Sequence, residues 1–314
     1  MVGIFVNGVD KVELWQLRQR QSLPLQVKII MSLLRIQKWY EAWDGDVYVS
    51  FSGGKDSTVL LHLVRTLYPR VKAVFIDTGL EYPEIRAFVK TIDNVVWIKP
   101  DMHYTDVINK HGYPVVSKEV SETIDQVRKG YKSRFKKLDT NYTGRYSCLK
   151  WKFLLDAPFK ISNLCCNEMK KKPVKKYEKL HKVKPFVGTM ADESSLRTQS
   201  WLKSGCNAFD NSRPISSPLS FWKESDIWEY LKTYNVPYSK IYDMGETRTG
   251  CMFCMFGCHL EEYPNRFQRM ASTHPKQFDY CINKLGIGKV LDYINVPYMP
   301  NEVRDGENIQ ICMM

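Results

Sequence analysis

Residues 47–57 read Val-Tyr-Val-Ser-Phe-Ser-Gly-Gly-Lys-Asp-Ser. Residues 47–51 favour a β-strand, the two glycines interrupt it, and residues 57–67 have the apolar periodicity of a helix. A glycine turn between a strand and a helix lets the backbone approach an anion closely, and the helix N-terminus presents unpaired N–H groups. We therefore predict a phosphate-binding loop that consists of Ser52, Gly53, Gly54, Lys55, Asp56 and Ser57.

The residues that follow repeat the strand and helix pattern. Residues 71–76 favour a strand, residues 82–92 a helix and residues 95–98 another strand. This alternation predicts an α/β fold with a parallel sheet flanked by helices. Further helices are predicted at 17–43, 118–131, 225–234 and in pieces over 266–293, a strand at 183–189, a polar loop at 133–146, and no regular element at 245–257.

The composition limits the class of protein. Of the 314 residues 44% are hydrophobic and 13% aromatic, as expected for a packed globular protein. The formal net charge of +12 suggests an anionic partner such as a nucleotide or a nucleic acid. We expect a cytoplasmic protein without a membrane partner, because the N-terminus lacks a signal-peptide pattern and no apolar run is long enough to span a bilayer.

Each polar residue of the loop has a plausible role. Ser52 and Ser57 can donate hydroxyl hydrogen bonds, Lys55 supplies a cation, and Asp56 can orient Lys55 or a metal ion. The spacing differs from the Walker motif, which has four residues between its glycines. The alternative is an ordinary glycine turn that caps a helix.

The six loop residues match the PP-loop of the ATP pyrophosphatase superfamily, and the chain resembles the phosphoadenosine phosphosulfate (PAPS) reductase family within it. Residues 77–84, residues 188–194 with Arg197, and residues 218–231 are similar to further motifs of that family. The resemblance implies a HUP-type sandwich whose loop holds the β- and γ-phosphates of ATP while the α-phosphate is attacked. It adds Ser50, Asp77, Thr78 and Gly188 as nucleotide contacts, and makes Lys55, Asp56 and Arg197 the catalytic candidates.

Nine cysteines without a secretory signal indicate metal or redox chemistry rather than disulfides. Cys251 and Cys254 form a CxxC motif, Cys258 follows, and Cys165 and Cys166 are adjacent. The set is similar to the arrangement that holds a [4Fe–4S] cluster in assimilatory adenylyl-sulfate reductases. Zinc and free thiols are the alternatives, and five candidates for four positions leave the ligand set open. We expect ordinary buried thiols at Cys148, Cys206, Cys281 and Cys312.

Two features depart from a sulfonucleotide reductase. The tail, residues 310–314, lacks the Glu, Gly and His that flank the catalytic cysteine of those enzymes, and the phosphate loop is complete, which favours intact ATP. An intact PP-loop together with a cysteine cluster resembles the tRNA thiolases and the sulfur-transfer enzymes of DNA phosphorothioation. The resemblance implies adenylation of an acceptor with Mg²⁺, followed by sulfur transfer from a donor protein. The basic residues 129–137 suit a nucleic-acid acceptor, either tRNA or DNA.

Two other functions stay open. One is a PAPS or adenylyl-sulfate reductase that forms sulfite, and the other is a non-catalytic nucleotide- or nucleic-acid-binding module. We predict three consecutive segments: an N-terminal helical segment at 1–45, a PP-loop α/β domain at 46–240, and an irregular Cys-bearing, partly helical C-terminal region at 241–314.

Overall fold

A computed structural model describes residues 13–144, 146–305 and 308–311. Its α-helices are α1 (Leu14–Gln21), α2 (Leu25–Ala42), α3 (Lys55–Leu67), α4 (Pro83–Lys90), α5 (Tyr104–His111), α6 (Lys118–Arg128), α7 (Lys132–Phe135), α8 (Lys172–His181), α9 (Ser195–Ser204), α10 (Glu224–Thr233), α11 (Arg266–Thr273), α12 (Pro275–Asp279) and α13 (Ile287–Tyr293). Its strands are β1 (Val47–Ser50), β2 (Lys72–Ile76), β3 (Val95–Ile98), β4 (Val115–Val116), β5 (Lys184–Val187), β6 (Asn207–Ala208), β7 (Ile215–Ser216), β8 (Met255–Phe256), β9 (Glu302–Asp305) and β10 (Asn308–Ile311).

The chain divides into two compact units. Of the described residues, the first unit comprises those up to 76 together with 83–98 and 176–248, and the second comprises those within 77–82 and 99–175 and those from 249 onward. Both units draw on separate stretches of the chain, whereas the sequence suggests three consecutive segments. That division, 1–45, 46–240 and 241–314, stays a prediction.

The first unit is built on a six-stranded sheet in the order β3-β2-β1-β5-β7-β6. Every pairing is parallel except that of β6 with β7, and Tyr48 in β1 lies opposite Lys72 and Pro185. The predicted α/β fold, a mostly parallel sheet flanked by helices, is therefore confirmed. Because β1 lies in the middle of this sheet, the loop that follows it starts from a buried and well-supported strand.

Helices α2, α3 and α10 pack together in the first unit, and α3 also contacts β1 and β5. Val59, Leu60, Leu63 and Val64 of α3 are buried, which accounts for the apolar periodicity of its sequence. A buried ion pair joins α2 to α10, with Lys28 Nζ 2.7 Å from Asp226 Oδ2. This packing anchors the helix that begins at the phosphate loop.

The second unit contains two small sheets and several helices. Strand β4 pairs in parallel with β8, and β9 pairs with β10 in antiparallel fashion. The prediction of no regular element at 245–257 was wrong for β8, because a two-residue strand is defined by its distant partner and leaves no periodic pattern.

The region 133–146, predicted as a loop, contains the end of α7 and a short 3-10 helix at Lys136–Leu138.

The predicted helix 17–43 is divided into α1 and α2, with Pro24 at the N-cap of α2. A proline is favourable there because that position needs no backbone N–H.

None of the helices within the described residues is both long and apolar enough to cross a membrane.

Candidate functional site

The predicted phosphate loop connects β1 to α3. Phe51 N–H donates to Val74 O at 2.9 Å, so the loop leaves the sheet from a paired strand end. Gly53 has φ +73°, and a Cβ there would lie 2.7 Å from Val89 Cγ2 and 2.9 Å from Ile85 Cγ2. Only glycine satisfies both the backbone conformation and the available space.

Gly188 lies directly after β5, which pairs with β1. A Cβ at this position would lie 3.1 Å from the carbonyl of Asp56 and 3.1 Å from the Cα of Ser57. The missing side chain allows the end of β5 to approach the first turn of α3. The structure thus places Gly188 against the loop, and its role as a nucleotide contact stays a prediction.

The two loop serines form a closed hydrogen-bond network. Their hydroxyl oxygens are 3.1 Å apart, and Ser57 Oγ–H also donates to Gly54 O at 2.9 Å. The backbone N–H of Ser52 donates to Ser57 Oγ at 3.2 Å, and Gly54 N–H donates to Ser52 Oγ at 3.3 Å. These bonds hold the loop in one conformation, a form of preorganisation for a ligand. Ser50, which the family resemblance predicts as a nucleotide contact, lies outside this network as the last residue of β1.

Lys55 is the first residue of α3, and its side chain is only 7% exposed. Its Nζ lies 3.1 Å from Glu224 Oε1 and donates to Thr247 O at 3.3 Å. It also lies 5.3 Å from the ring centre of Tyr242, whose hydroxyl accepts the backbone N–H of Lys55 at 2.8 Å. Burial by itself lowers the pKa of Lys55, but Asp56, Glu224 and Tyr242 outweigh burial and raise it. Lys55 is therefore a cation in the folded protein.

Asp56 is the carboxyl residue of the loop, and its pKa is strongly shifted. Burial raises its pKa from 3.8 to about 6 although Lys55 opposes the shift, and Glu193 and Glu224 raise it further. Its Oδ1 is buried, has no hydrogen-bond partner among the described residues, and lies 3.9 Å from Lys55 Nζ. A buried carboxylate oxygen without a donor fits a hard cation, and Mg²⁺ is usually held by one or two carboxylates plus phosphates. Asp56 therefore fits Mg²⁺.

Arg197 lies in the first turn of α9 and forms an ion pair with Glu193. Its side chain is 42% exposed. In this arrangement the guanidinium already has a carboxylate partner, so a substrate anion would have to compete with Glu193 for it.

Glu224, Tyr242 and Thr247 belong to the surroundings of Lys55, but the sequence gave no reason to select them. Glu224 is the first residue of α10 and lies within the 218–231 motif, although it was not singled out there, and Tyr242 and Thr247 come from the segment after α10. Trp228, whose ring centre is 5.9 Å from Lys55 Nζ, lies within the 218–231 motif.

Asp77 and Thr78 follow β2 in the chain and belong to the second unit. Both are buried at 7% exposure. Thr78 donates through its N–H to Glu81 Oε2 at 3.0 Å and through its hydroxyl to Glu81 Oε1 at 2.7 Å. In the same turn Leu80 O accepts the N–H of Met252 at 2.9 Å, so the turn is attached to the CxxC segment.

Four of the five candidate cysteines interact with one another in the second unit. Burial raises the pKa of Cys165, and the charges of Cys251, Cys166 and Cys254 raise it further. Burial likewise raises the pKa of Cys251 to about 11, against the opposing effect of Lys170. The two cysteine pairs, which are distant in sequence, are therefore close enough in space to influence one another.

Lys170 is the cation of this cluster. The negative charge of Cys251 raises the pKa of Lys170, with further contributions from Glu81, from a hydrogen bond to Cys251 and from Cys166, while burial lowers it. A neighbouring ammonium group stabilises thiolates and anionic clusters. Lys170 belongs to the basic run that follows Cys166 in the sequence.

Cys258 has a different environment from the other four. It is 1% exposed, and its thiol donates to Met255 O at 3.1 Å. Burial raises its pKa to about 12, Arg266 lowers it, and Cys254 is the cysteine that raises it further.

Among the described residues, no three Cys, His, Asp or Glu side chains are grouped so that they could hold one metal ion. The chemistry of the donor set nevertheless fits an iron–sulfur cluster, since it consists of four thiols beside a half-buried lysine. The remaining thiols Cys148, Cys206 and Cys281 are buried, as expected, and Cys312 lies outside the described residues.

A model of the "Phosphoadenosine phosphosulfate reductase domain" family matches residues 46–114 and 114–256. The chain belongs to the PAPS reductase family. These matches include the phosphate loop and four of the five candidate cysteines, and they end two residues before Cys258.

Named relatives of this PAPS reductase family member are distant. An adenosine 5'-phosphosulfate reductase of Lysinibacillus sphaericus is 24% identical over 243 residues, covering 75% of this chain and 85% of the relative. An uncharacterized protein of Methanocaldococcus jannaschii is 26% identical over 81% of this chain. The match spans 52% of that relative, which is about half its length. A solved phosphoadenylyl-sulfate reductase from Candida auris is similar with 16% identity and a TM-score of 0.42, over 78% of this chain and 98% of that one.

Proposed function

We propose that this PAPS reductase family member binds ATP at residues 52–57 and activates an acceptor by adenylation for sulfur transfer. The observation that carries the proposal is the complete loop at the start of α3, with the Lys55 cation and the unsatisfied Asp56 Oδ1 beside it. A sulfonucleotide has no β,γ-pyrophosphate to occupy such a loop, whereas ATP does.

In the proposed reaction an acceptor oxygen attacks the α-phosphate of ATP. The new P–O bond forms as the bond to the β-phosphate breaks, and pyrophosphate leaves. Lys55 and the N–H groups at the start of α3 would stabilise the charge on the leaving group. Asp56 would hold Mg²⁺, which supplies charge neutralisation on the phosphates when bound.

Sulfur transfer follows as a second displacement. A sulfur donor at the oxidation level of hydrosulfide attacks the adenylated carbon or phosphorus, and AMP leaves with the former acceptor oxygen. No electrons are exchanged in this step, so it requires no additional reductant. The proposal therefore predicts AMP and pyrophosphate as products, in equal amounts.

Cys165, Cys166, Cys251 and Cys254 are the residues that would hold a [4Fe–4S] cluster, with zinc as the alternative. Their mutual interaction and the neighbouring Lys170 support this ligand set over one that includes Cys258. When bound, such a cluster supplies a site that carries sulfur or electrons. Lys170 would balance part of its negative charge.

The surface around α7 supports a nucleic-acid acceptor, either tRNA or DNA. Tyr131 is 59% exposed and Phe135 is 47% exposed, and both stand beside the exposed Lys132 and Lys136. Exposed aromatic rings among lysines suit stacked bases and a phosphate backbone. Other basic residues of 129–137 are paired with carboxylates, namely Lys129 with Asp125, Arg134 with Glu122, and Lys137 with Glu119.

A second candidate function is reduction of a sulfonucleotide to sulfite. The relative from Lysinibacillus sphaericus favours it, since that protein is named an adenosine 5'-phosphosulfate reductase and 85% of its length is matched. A third candidate is nucleotide binding without turnover.

Product analysis distinguishes the three functions. The full chain is prepared anaerobically and assayed for pyrophosphate release from Mg-ATP with tRNA or DNA, and for sulfite release from adenylyl sulfate or PAPS. We expect acceptor-dependent pyrophosphate release that falls about 100-fold in Lys55→Ala. The matched control is Lys232→Ala, an exposed lysine of α10 that should leave the rate unchanged.

Sulfite formation without pyrophosphate release would overturn the proposed adenylation and favour the reductase. Nucleotide binding with no product from either substrate, in the wild type as in Lys55→Ala, would favour the non-catalytic module.

A further inference from the structure

A cavity of about 690 Å³ lies at the β6 edge of the sheet in the first unit. Residues of α1, α2 and the α9–β6 segment line it, and in the described chain none of them belongs to the phosphate loop. A cavity of this volume is large enough for a nucleotide-sized ligand.

The lining is strongly basic. It contains Arg20, Arg35, Lys38 and Lys203, while Asp210 is the acidic residue among the described residues that line it. None of the four cations forms an ion pair with a carboxylate within the part of the chain that the structure describes. Four cations against one carboxylate leave an excess of positive charge that an anion would neutralise.

The two arginines lie close enough to repel each other. Burial lowers the pKa of Arg20, the charge of Cys206 raises it, and the charge of Arg35 lowers it. Aromatic rings hold both guanidinium groups in place, with Arg20 5.2 Å from the ring centre of Trp201 and Arg35 5.1 Å from that of Phe221. The arginines are therefore preorganised, and a ligand need not pay the entropy of ordering them.

Cys206 brings a thiol to the wall of the same cavity. Its Sγ accepts hydrogen bonds from Arg35 Nε at 3.2 Å and from Ser220 Oγ at 3.2 Å. The side chain is 7% exposed, so an anion bound to Arg35 would restrict access to it. This makes Cys206 a local reporter of occupancy.

We propose that this cavity is a second anion site that binds a phosphate group, carried by a small phosphorylated molecule or by a polynucleotide backbone. Arginine donates paired hydrogen bonds that match phosphate oxygens, and Lys38 and Lys203 add charge at the rim. The site differs from the phosphate loop in its residues and is independent of the reaction proposed for that loop.

The test measures alkylation of Cys206 by iodoacetamide in the full chain, with peptide mass spectrometry to separate it from other cysteines. Inorganic pyrophosphate should slow the modification. The double variant Lys38→Ala/Lys203→Ala should require an approximately tenfold higher pyrophosphate concentration for the same protection, and Lys232→Ala should behave as the wild type.

A parallel experiment replaces pyrophosphate with a mixed-sequence single-stranded oligonucleotide. If the oligonucleotide protects Cys206 at a lower total phosphate concentration than pyrophosphate does, the site binds a polynucleotide. If pyrophosphate protects at the lower concentration, the site binds a small phosphorylated molecule.

If pyrophosphate slows alkylation of Cys206 no more than sodium chloride does at the same ionic strength, the proposed site is overturned. The same holds if pyrophosphate protects the wild type and the double variant equally. The pyrophosphate-induced rise in Tm gives a second measurement that does not depend on thiol reactivity. Binding of pyrophosphate at the phosphate loop contributes equally to the Tm of all three proteins. If the cavity also binds pyrophosphate, the rise in Tm should be smaller in the double variant than in the wild type and Lys232→Ala. An identical rise in all three would contradict it.

Discussion

At the residue scale, Asp56 shows a conflict between stability and function. Its carboxyl pKa is raised from 3.8 to about 6, chiefly by burial. Below about pH 3 the group is protonated in both the folded and the unfolded chain. As pH rises from about 3 to 6, the unfolded chain ionises first, so the raised pKa lowers stability over this window and the full penalty persists above it.

We predict that Asp56→Asn increases the free energy of unfolding at pH 7 by about 2 kcal/mol, because the amide cannot ionise. The gain should vanish below about pH 3, and binding of Mg-ATP should be lost. Urea unfolding between about pH 3 and pH 8 measures the first effect, and the exposed Glu229→Gln on α10 serves as control. A change in stability that is independent of pH would contradict this account.

A second prediction at this scale concerns Gly53. Gly53→Ala should destabilise the protein by about 2–3 kcal/mol, because it combines the cost of a positive φ with overlap against Val89 and Ile85. Gly79→Ala is the matched control, since Gly79 has φ +75° but no atom within 4 Å of an added Cβ. Thermal unfolding should show a clearly smaller loss for Gly79→Ala, and equal losses would show that steric overlap is unimportant.

At the scale of elements, α2 and α10 are joined by the buried pair of Lys28 and Asp226. Lys28 is 1% exposed and Asp226 is 7% exposed, and Asp226 Oδ2 also accepts the N–H of Lys223 at 2.7 Å. Removing the lysine alone leaves a buried carboxylate without its cation, which is more costly than losing both charges.

We therefore predict that Lys28→Met lowers the free energy of unfolding by about 3 kcal/mol. The double variant Lys28→Met/Asp226→Asn should recover more than half of the loss, because the amide oxygen can still accept from Lys223. Chemical denaturation of both variants tests the effect. If the double variant is less stable than Lys28→Met, the ion pair is not the source of the loss.

At the scale of the whole molecule, the cysteine cluster combines residues that are far apart in the chain. Cys165 and Cys166 follow the 3-10 helix at Leu149–Asp156, whereas Cys251 and Cys254 precede β8. The cluster therefore forms only when the second unit has folded around both segments.

We predict that anaerobically purified protein contains iron, and that Cys165→Ser, Cys166→Ser, Cys251→Ser and Cys254→Ser each reduce it at least severalfold. Cys258→Ser should retain wild-type iron, because its thiol is engaged with Met255 O. Cys148→Ser is a buried control outside the cluster. Absorption spectra with iron and zinc quantification give the readout. One zinc per chain without iron would select the zinc alternative, and loss of iron in Cys258→Ser would change the ligand set.

Much of the architecture was predictable from the sequence because it is encoded locally. The strand at residues 47–50, the glycines and the apolar face of α3 follow from patterns within a few residues, and the structure has them in place. The same holds for the sheet, whose strands β2 and β3 were recognised from β-prone runs between helical segments.

The surroundings of the site were decided by tertiary structure. Glu224, Tyr242 and Thr247 meet Lys55 through packing of segments far along the chain, and such contacts leave no periodic trace. The burial that raises the pKa of Asp56, and the mutual approach of Cys165 and Cys251, arise in the same way. The sequence by itself determined which residues are candidates to bind a phosphate chain or a metal centre. Only the folded chain decided their charge and neighbours, because desolvation and electrostatic interactions depend on distances in space.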